Sequence, residues 1–221
     1  MAAPLPKPLR VGILIYPGFQ PLDAFGPLDT LGFLSKSNPL TLSILSTSLG
    51  PVSNAIPDEQ SPSPTFSQSI NPTDTLEKAP PLDILLVPGG RGSRNIAATE
   101  PYVDFIRERW ADPNLRYVLS VCTGAALVAR TGCVDGRRGT SNKTAFAWVK
   151  SQREEVQWVG KARWVEDGRW WSSSGVSAGT DMTLGWIEAF WGVEKADQIA
   201  KWMEWTRMGR DEDPFAIENG L

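Results

Sequence analysis

Residues 115–124 read Leu115-Arg116-Tyr117-Val118-Leu119-Ser120-Val121-Cys122-Thr123-Gly124, and their order decides the fold. The apolar run 115–121 has the length and β-branched content of a strand buried on both faces. It gives way at once to an apolar helix over residues 123–130, stopped at Gly132. A cysteine stands at the handover and a glycine follows two residues on, the layout of a nucleophile elbow. The free N–H groups and positive end of the helix favour a thiolate there. A cysteine at such a junction can equally be a small buried residue.

Working outward, three more apolar runs read as buried strands: residues 9–16 (LRVGILIY), 41–46 (TLSILS) and 82–87 (LDILLV). Helices are expected over 23–34, with Leu28, Leu31 and Leu34 on one face, and over about 100–110, 179–191 and 193–206. Ala196, Ile199, Ala200 and Met203 give the last of these a core-facing stripe. Residues 156–171 read as a hairpin turning at Glu166-Asp167-Gly168. Residues 49–80, rich in Pro, Ser, Asn and Asp, read as a long loop or hairpin insertion. Strands alternating with helices imply an α/β, doubly wound, mainly parallel sheet with helices on both faces, the flavodoxin-like class. The expectation is a single domain over residues 1–221, with tails at 1–8 and 208–221. Ligands of such sheets sit beyond the carboxyl ends of the strands, here segments 17–23, 88–92 and 121–124.

The composition excludes several chemistries. The chain has no histidine, so Ser-His-Asp triads, Cys-His dyads and His-ligated metal sites are ruled out. Its two cysteines, Cys122 and Cys133, are too few for an all-cysteine zinc site. No metal site and no cofactor are expected. Twenty-two basic against 25 acidic residues, a net charge of -3, argue against a nucleic-acid surface or polybasic membrane binding. The start lacks an apolar targeting core and no stretch has the ~18 apolar residues of a membrane helix. A cytoplasmic protein acting on a small molecule is the expectation.

Val121-Cys122-Thr123-Gly124, Pro88-Gly89-Gly90 and Leu22-Asp23-Ala24-Phe25-Gly26-Pro27 together resemble the ThiJ/PfpI superfamily, whose fold is like that of class I glutamine amidotransferases. The pairing of L-D-x-x-G-P with S-V-C-T-G resembles its isocyanide (isonitrile) hydratase branch in particular. Gly175-Val176-Ser177-Ala178-Gly179-Thr180-Asp181 resembles a further segment of that branch. The resemblance implies Cys122 as nucleophile, Asp23 as its acid/base partner and Thr123 as an assisting residue. It places an oxyanion or substrate pocket at the Gly89-Gly90 loop and the Thr123 amide. It further implies a homodimer and a lyase that hydrates an isocyanide to an N-formamide through a thioimidate on Cys122. Glyoxalase-type or other electrophile chemistry, and non-catalytic redox sensing, are the alternatives.

Much of the superfamily carries a histidine after the elbow helix; here Asn142 stands at that place. Asn142 reads as a substrate-binding residue or as a helix N-cap. Asp23 likewise reads as a proton partner or an N-cap. Two acidic groups close together share one proton, leaving either a thiolate beside a carboxylic acid or the reverse. Cys133 reads as buried filler. Nine of the ten tryptophans lie after residue 147 and default to core packing; any that line the pocket would favour a flat aromatic ligand.

Overall fold

A computed structural model describes residues 8–56 and 66–221. In chain order the elements are β1 (Leu9–Leu14), α1 (Pro21–Ser35), β2 (Leu40–Ser46), β3 (Val52–Ser53), β4 (Ser69–Ile70), β5 (Asp74–Thr75), β6 (Ile84–Val87) and a 3-10 turn at Arg91–Arg94. There follow α2 (Ile96–Ala111), β7 (Tyr117–Val121), α3 (Gly124–Arg130), β8 (Arg138–Gly139), α4 (Phe146–Gln152) and β9 (Gln157–Trp158). Then come β10 (Trp164–Asp167), β11 (Trp170–Ser173), α5 (Ala178–Trp191), α6 (Val193–Trp202) and α7 (Phe215–Glu218).

The main sheet of the described residues has the order β10-β11-β7-β6-β1-β2-β5. Every neighbouring pair is parallel except the β10/β11 hairpin at one edge. Ile84–Val87 is buried at every position, as a strand covered on both faces must be. α1, α5 and α6 pack together on one face and α2, α3 and α4 on the other. The expected flavodoxin-like α/β architecture is thus the one observed. From β1 the sheet grows through β2 in one direction and through β6, β7 and β11 in the other. That reversal makes the carboxyl ends of β1 and β6 the topological switch point, the place where ligands of such sheets bind.

Several local expectations change. The hairpin comprises only β10 and β11, and its turn is Gly168-Arg169 rather than Glu166-Asp167-Gly168, whose first two residues belong to β10. Gln157–Trp158 instead pairs in parallel with Arg138–Gly139. Insertion 49–80 does hold a small hairpin, β3 with β4, but it also delivers β5 to the edge of the main sheet; its residues 57–65 lie outside the described residues, as do residues 1–7 of the expected tail at 1–8. Residues 208–221 are docked rather than a free tail. The backbone N–H of Arg163 donates to Arg210 O at 2.7 Å, Asp213 is buried against Lys143, and the Ala216 side chain is buried. Alternating hydrophobicity could not announce this docking, because it rests on scattered polar contacts and isolated buried side chains rather than on an apolar stripe. Cys133 is half-buried, not buried. α6 buries Ala196, Ile199 and Ala200 on the expected stripe and ends at Trp202.

Candidate active site

Three strand ends converge at the switch point. β1 ends in Ile15-Tyr16-Pro17, and the chain then enters α1, whose first turn carries Asp23. Gln20 occupies the N-cap position of that helix, so Asp23 is not the cap. Its side chain instead turns inward, is 1% exposed, and accepts the backbone N–H of Gly89 on Oδ2 at 3.0 Å. The other carboxylate oxygen, Oδ1, is buried with no hydrogen-bond partner among the described residues. Gly89 belongs to the loop after β6, so first and third apolar runs meet here.

Cys122 leaves β7 with φ +57°, a left-handed conformation that a non-glycine residue adopts only when its surroundings impose it. Its N–H lies 3.2 Å from the carbonyls of Ser173 and Ser174, and its carbonyl accepts Ser141 Oγ at 2.8 Å. The tight turn needs glycine at 124: a Cβ there would stand 2.1 Å from Val87 O. Cys122 is buried, with 6% of the residue exposed. The strained strand-to-helix turn expected of a nucleophile elbow is present.

Burial pushes the Cys122 thiol well above its ordinary range, and the nearby Asp23 charge pushes it further. The amide and hydroxyl of Thr123 act in the opposite direction without overcoming burial. Burial also raises Asp23, to about 7, against the pull of the Gly89 amide and the Cys122 thiol. Of the two proton arrangements, the thiol beside an ionisable carboxyl therefore prevails. The dipole of a short helix contributes under about 1 kcal/mol, too little to hold a desolvated thiolate at rest.

Thr123 is buried, and its hydroxyl accepts the Gly90 N–H at 3.0 Å. Ser93 Oγ lies 3.0 Å from the same hydroxyl and donates to Gly90 O at 2.7 Å. The Gly90 amide, expected to face an oxyanion, is thus engaged by Thr123; the Thr123 amide acts on the sulfur instead. Asn142 serves the local backbone. Its Oδ1 accepts the Ala145 N–H at 3.0 Å and the Thr144 hydroxyl at 2.7 Å, just before α4. Cys122, Asp23, Thr123, Gly89 and Gly90 are therefore brought together, whereas Asn142 is tied to its own turn and abuts Gly175.

The tryptophans largely fill the core: Trp170 and Trp186 are fully buried. Trp205 donates to Asp181 Oδ1 at 2.8 Å, and Trp202 is half exposed over Phe33. Trp164 and Trp171 line a cavity of about 480 Å³ that none of the expected site residues lines. Sequence reasoning missed Tyr16, Ser93 and Ser141, whose hydroxyls hold Pro88, Gly90 and Cys122. Only a polar residue at the end of an apolar run could have signalled Tyr16. Among the described residues, no cluster of three or more His, Cys, Asp or Glu stands ready for a metal ion, and no helix is long and apolar enough to cross a membrane.

Comparisons with known proteins agree with this fold. The chain is 30% identical to an isonitrile hydratase of Pseudomonas putida over 202 residues, covering 90% of this chain and 79% of that protein. It is 32% identical to a deglycase of Pyrococcus horikoshii over 103 residues, 45% of this chain and 58% of that one. Among solved structures, a ThiJ/PfpI family protein from Pseudomonas syringae superposes with a TM-score of 0.72 at 25% identity, covering 91% of this chain and 76% of that one. Drosophila melanogaster DJ-1beta superposes with a TM-score of 0.69 at 20% identity, covering 90% and 98%. The model of the DJ-1/PfpI family matches residues 9–189, most of the chain, and the protein belongs to that family.

Proposed function

We propose that this chain is a cofactor-independent hydro-lyase that converts an isocyanide to its N-formamide, with Cys122 as nucleophile and Asp23 as acid/base. The observation that carries the reading is the Asp23 carboxylate. One oxygen is anchored by the Gly89 amide and the other is buried without a partner among the described residues, beside a thiol that shifts its ionisation. An unpartnered buried carboxylate oxygen is costly unless a proton or a water is part of its work.

The chemistry follows from those groups. Asp23 takes the Sγ proton as sulfur attacks the terminal isocyanide carbon, forming the C–S bond. The same proton passes to that carbon and gives a thioimidate, R–N=CH–S–Cys122. Asp23 then removes a proton from water as the water oxygen bonds to the carbon, the C=N π pair moves to nitrogen, and Asp23 passes that same proton to the nitrogen, returning to the carboxylate. The C–S bond breaks with its electron pair leaving on sulfur. The hydroxyl proton returns to sulfur through Asp23, and the N-substituted formamide departs. One water is added overall, and no oxidant, reductant or metal enters the balance. The Thr123 amide, which already acts on the sulfur, steadies the transient negative charge.

Similarity to an isonitrile hydratase over nine-tenths of the chain supports this reading. The test is conversion of an aryl isocyanide to its formamide by the purified protein. Turnover is expected in the wild type and not in Cys122→Ala; turnover that survives in Cys122→Ala ends the proposal. Lactate from methylglyoxal with no formamide from any isocyanide would move the assignment to glyoxalase-type chemistry, which uses the same sulfur.

A further inference from the structure

The Tyr16 hydroxyl donates to Pro88 O at 2.8 Å. Gly89 N–H donates to Asp23 Oδ2 at 3.0 Å. The Pro88 carbonyl and the Gly89 N–H are the two ends of one peptide group, which is planar and rigid, so the orientation of one end fixes that of the other. A hydrogen bond accepted at the carbonyl also polarises the group and strengthens donation from its N–H. Tyr16 is 1% exposed and Asp23 is 1% exposed, so no solvent competes for either bond.

We propose that Tyr16 is a positioning residue: its hydroxyl, by holding the Pro88–Gly89 peptide, aims the Gly89 N–H at Asp23 and so sets the proton exchange between Asp23 and Cys122. This rests on the reading of Cys122 and Asp23 as a proton-sharing pair, and deepens it. The groups that act on Asp23 are its burial, the Gly89 amide and the Cys122 thiol. Tyr16 in turn is raised by burial and by Asp23, Cys122 and Tyr102, so the phenol stays protonated and a donor throughout the working range. Tyr102 touches the Tyr16 ring edge-on at 5.5 Å, but its own hydroxyl pairs with Ser46 Oγ at 2.8 Å. It holds neither end of the peptide.

The experiment is the pH dependence of Cys122 alkylation by iodoacetamide, read by mass spectrometry on the full chain. It needs no turnover. Removing the Tyr16 hydroxyl weakens a bond that favours the Asp23 carboxylate, so the Asp23 inflection near pH 7 should rise in Tyr16→Phe by about 0.5–1 pH unit. Tyr102→Phe should leave it in place. Global replacement of tyrosine by 3-fluorotyrosine, a stronger donor that keeps the hydroxyl, should lower it, and decides the matter if Tyr16→Phe does not fold. A folded Tyr16→Phe whose profile superimposes on the wild type overturns the inference, as does an equal shift in Tyr102→Phe. Shifted alkylation without any isocyanide hydration would leave Tyr16 in its role and remove the proposed reaction; hydration with unshifted alkylation would do the reverse.

Discussion

The Lys143 ammonium meets the Asp213 carboxylate at 3.2 Å, and the two side chains are 2% and 0% exposed. Lys143 Nζ also donates to Thr140 Oγ1 at 2.9 Å and to Ala162 O at 2.8 Å. Between Thr140 and Lys143 lies Ser141, which holds the Cys122 carbonyl. The docked C-terminal segment is therefore two residues removed from a bond that shapes the Cys122 turn.

Breaking this pair from one side leaves a buried charge uncompensated. Asp213→Ala should cost about 3–5 kcal/mol of stability. Replacing both partners with apolar residues, Lys143→Met with Asp213→Leu, should cost far less. Urea denaturation midpoints of the two variants check this, and equal losses would contradict it.

Asp23 gives stability a pH slope. Its folded value, about 7, lies above the ordinary 3.8, so the folded state holds a proton that the unfolded chain releases. That contribution is fully present below pH 3.8 and is lost as pH rises through about 7. Asp23→Asn cannot titrate and should flatten the slope, gaining on the wild type by a difference on the order of 4 kcal/mol between pH 4 and 8. Hydration should fall by about 10²–10⁴-fold in the same variant. Denaturation curves at pH 4 and pH 8 test the sign; a wild type that gains stability relative to Asp23→Asn as pH rises would refute it.

The left-handed backbone of Cys122 stores strain that glycine would not. Cys122→Gly should be more stable than Cys122→Ala by about 1 kcal/mol, the penalty of a Cβ in this conformation, with both variants inactive. Thermal melting of the pair measures the difference.

A methyl group at Gly89 would enter the site itself. A Cβ there lies 2.5 Å from Thr123 N, 2.6 Å from Thr123 Oγ1 and 2.9 Å from Asp23 Oδ2. Gly89→Ala should destabilise by about 1–3 kcal/mol while displacing Asp23 from the thiol. Formamide production should drop by at least about 10²-fold with native circular dichroism retained. Wild-type turnover in this variant would mean that the Asp23–Gly89–Cys122 cluster is not the reaction site.

Local sequence carried much of this. Apolar runs of strand length, a cysteine followed by Thr-Gly, and paired glycines after β6 depend on neighbours within a few residues, so periodicity and turn chemistry are enough to read them. The sheet and the elbow were legible for that reason, whereas the meeting of residues 23, 89 and 122 was expected from the place of ligands at strand ends and from the resemblance to the superfamily. The proton state was not. It depends on how completely the interior excludes water around Cys122 and Asp23, a property of the packed whole. The same holds for Gly90, Tyr16 and the Lys143–Asp213 pair: Tyr16 and Pro88 are 72 positions apart, and only folding reveals which hydroxyl, amide or charge answers which. A linear pattern records which groups a chain has; three-dimensional packing settles which of them lose water, and with it their ordinary acidity.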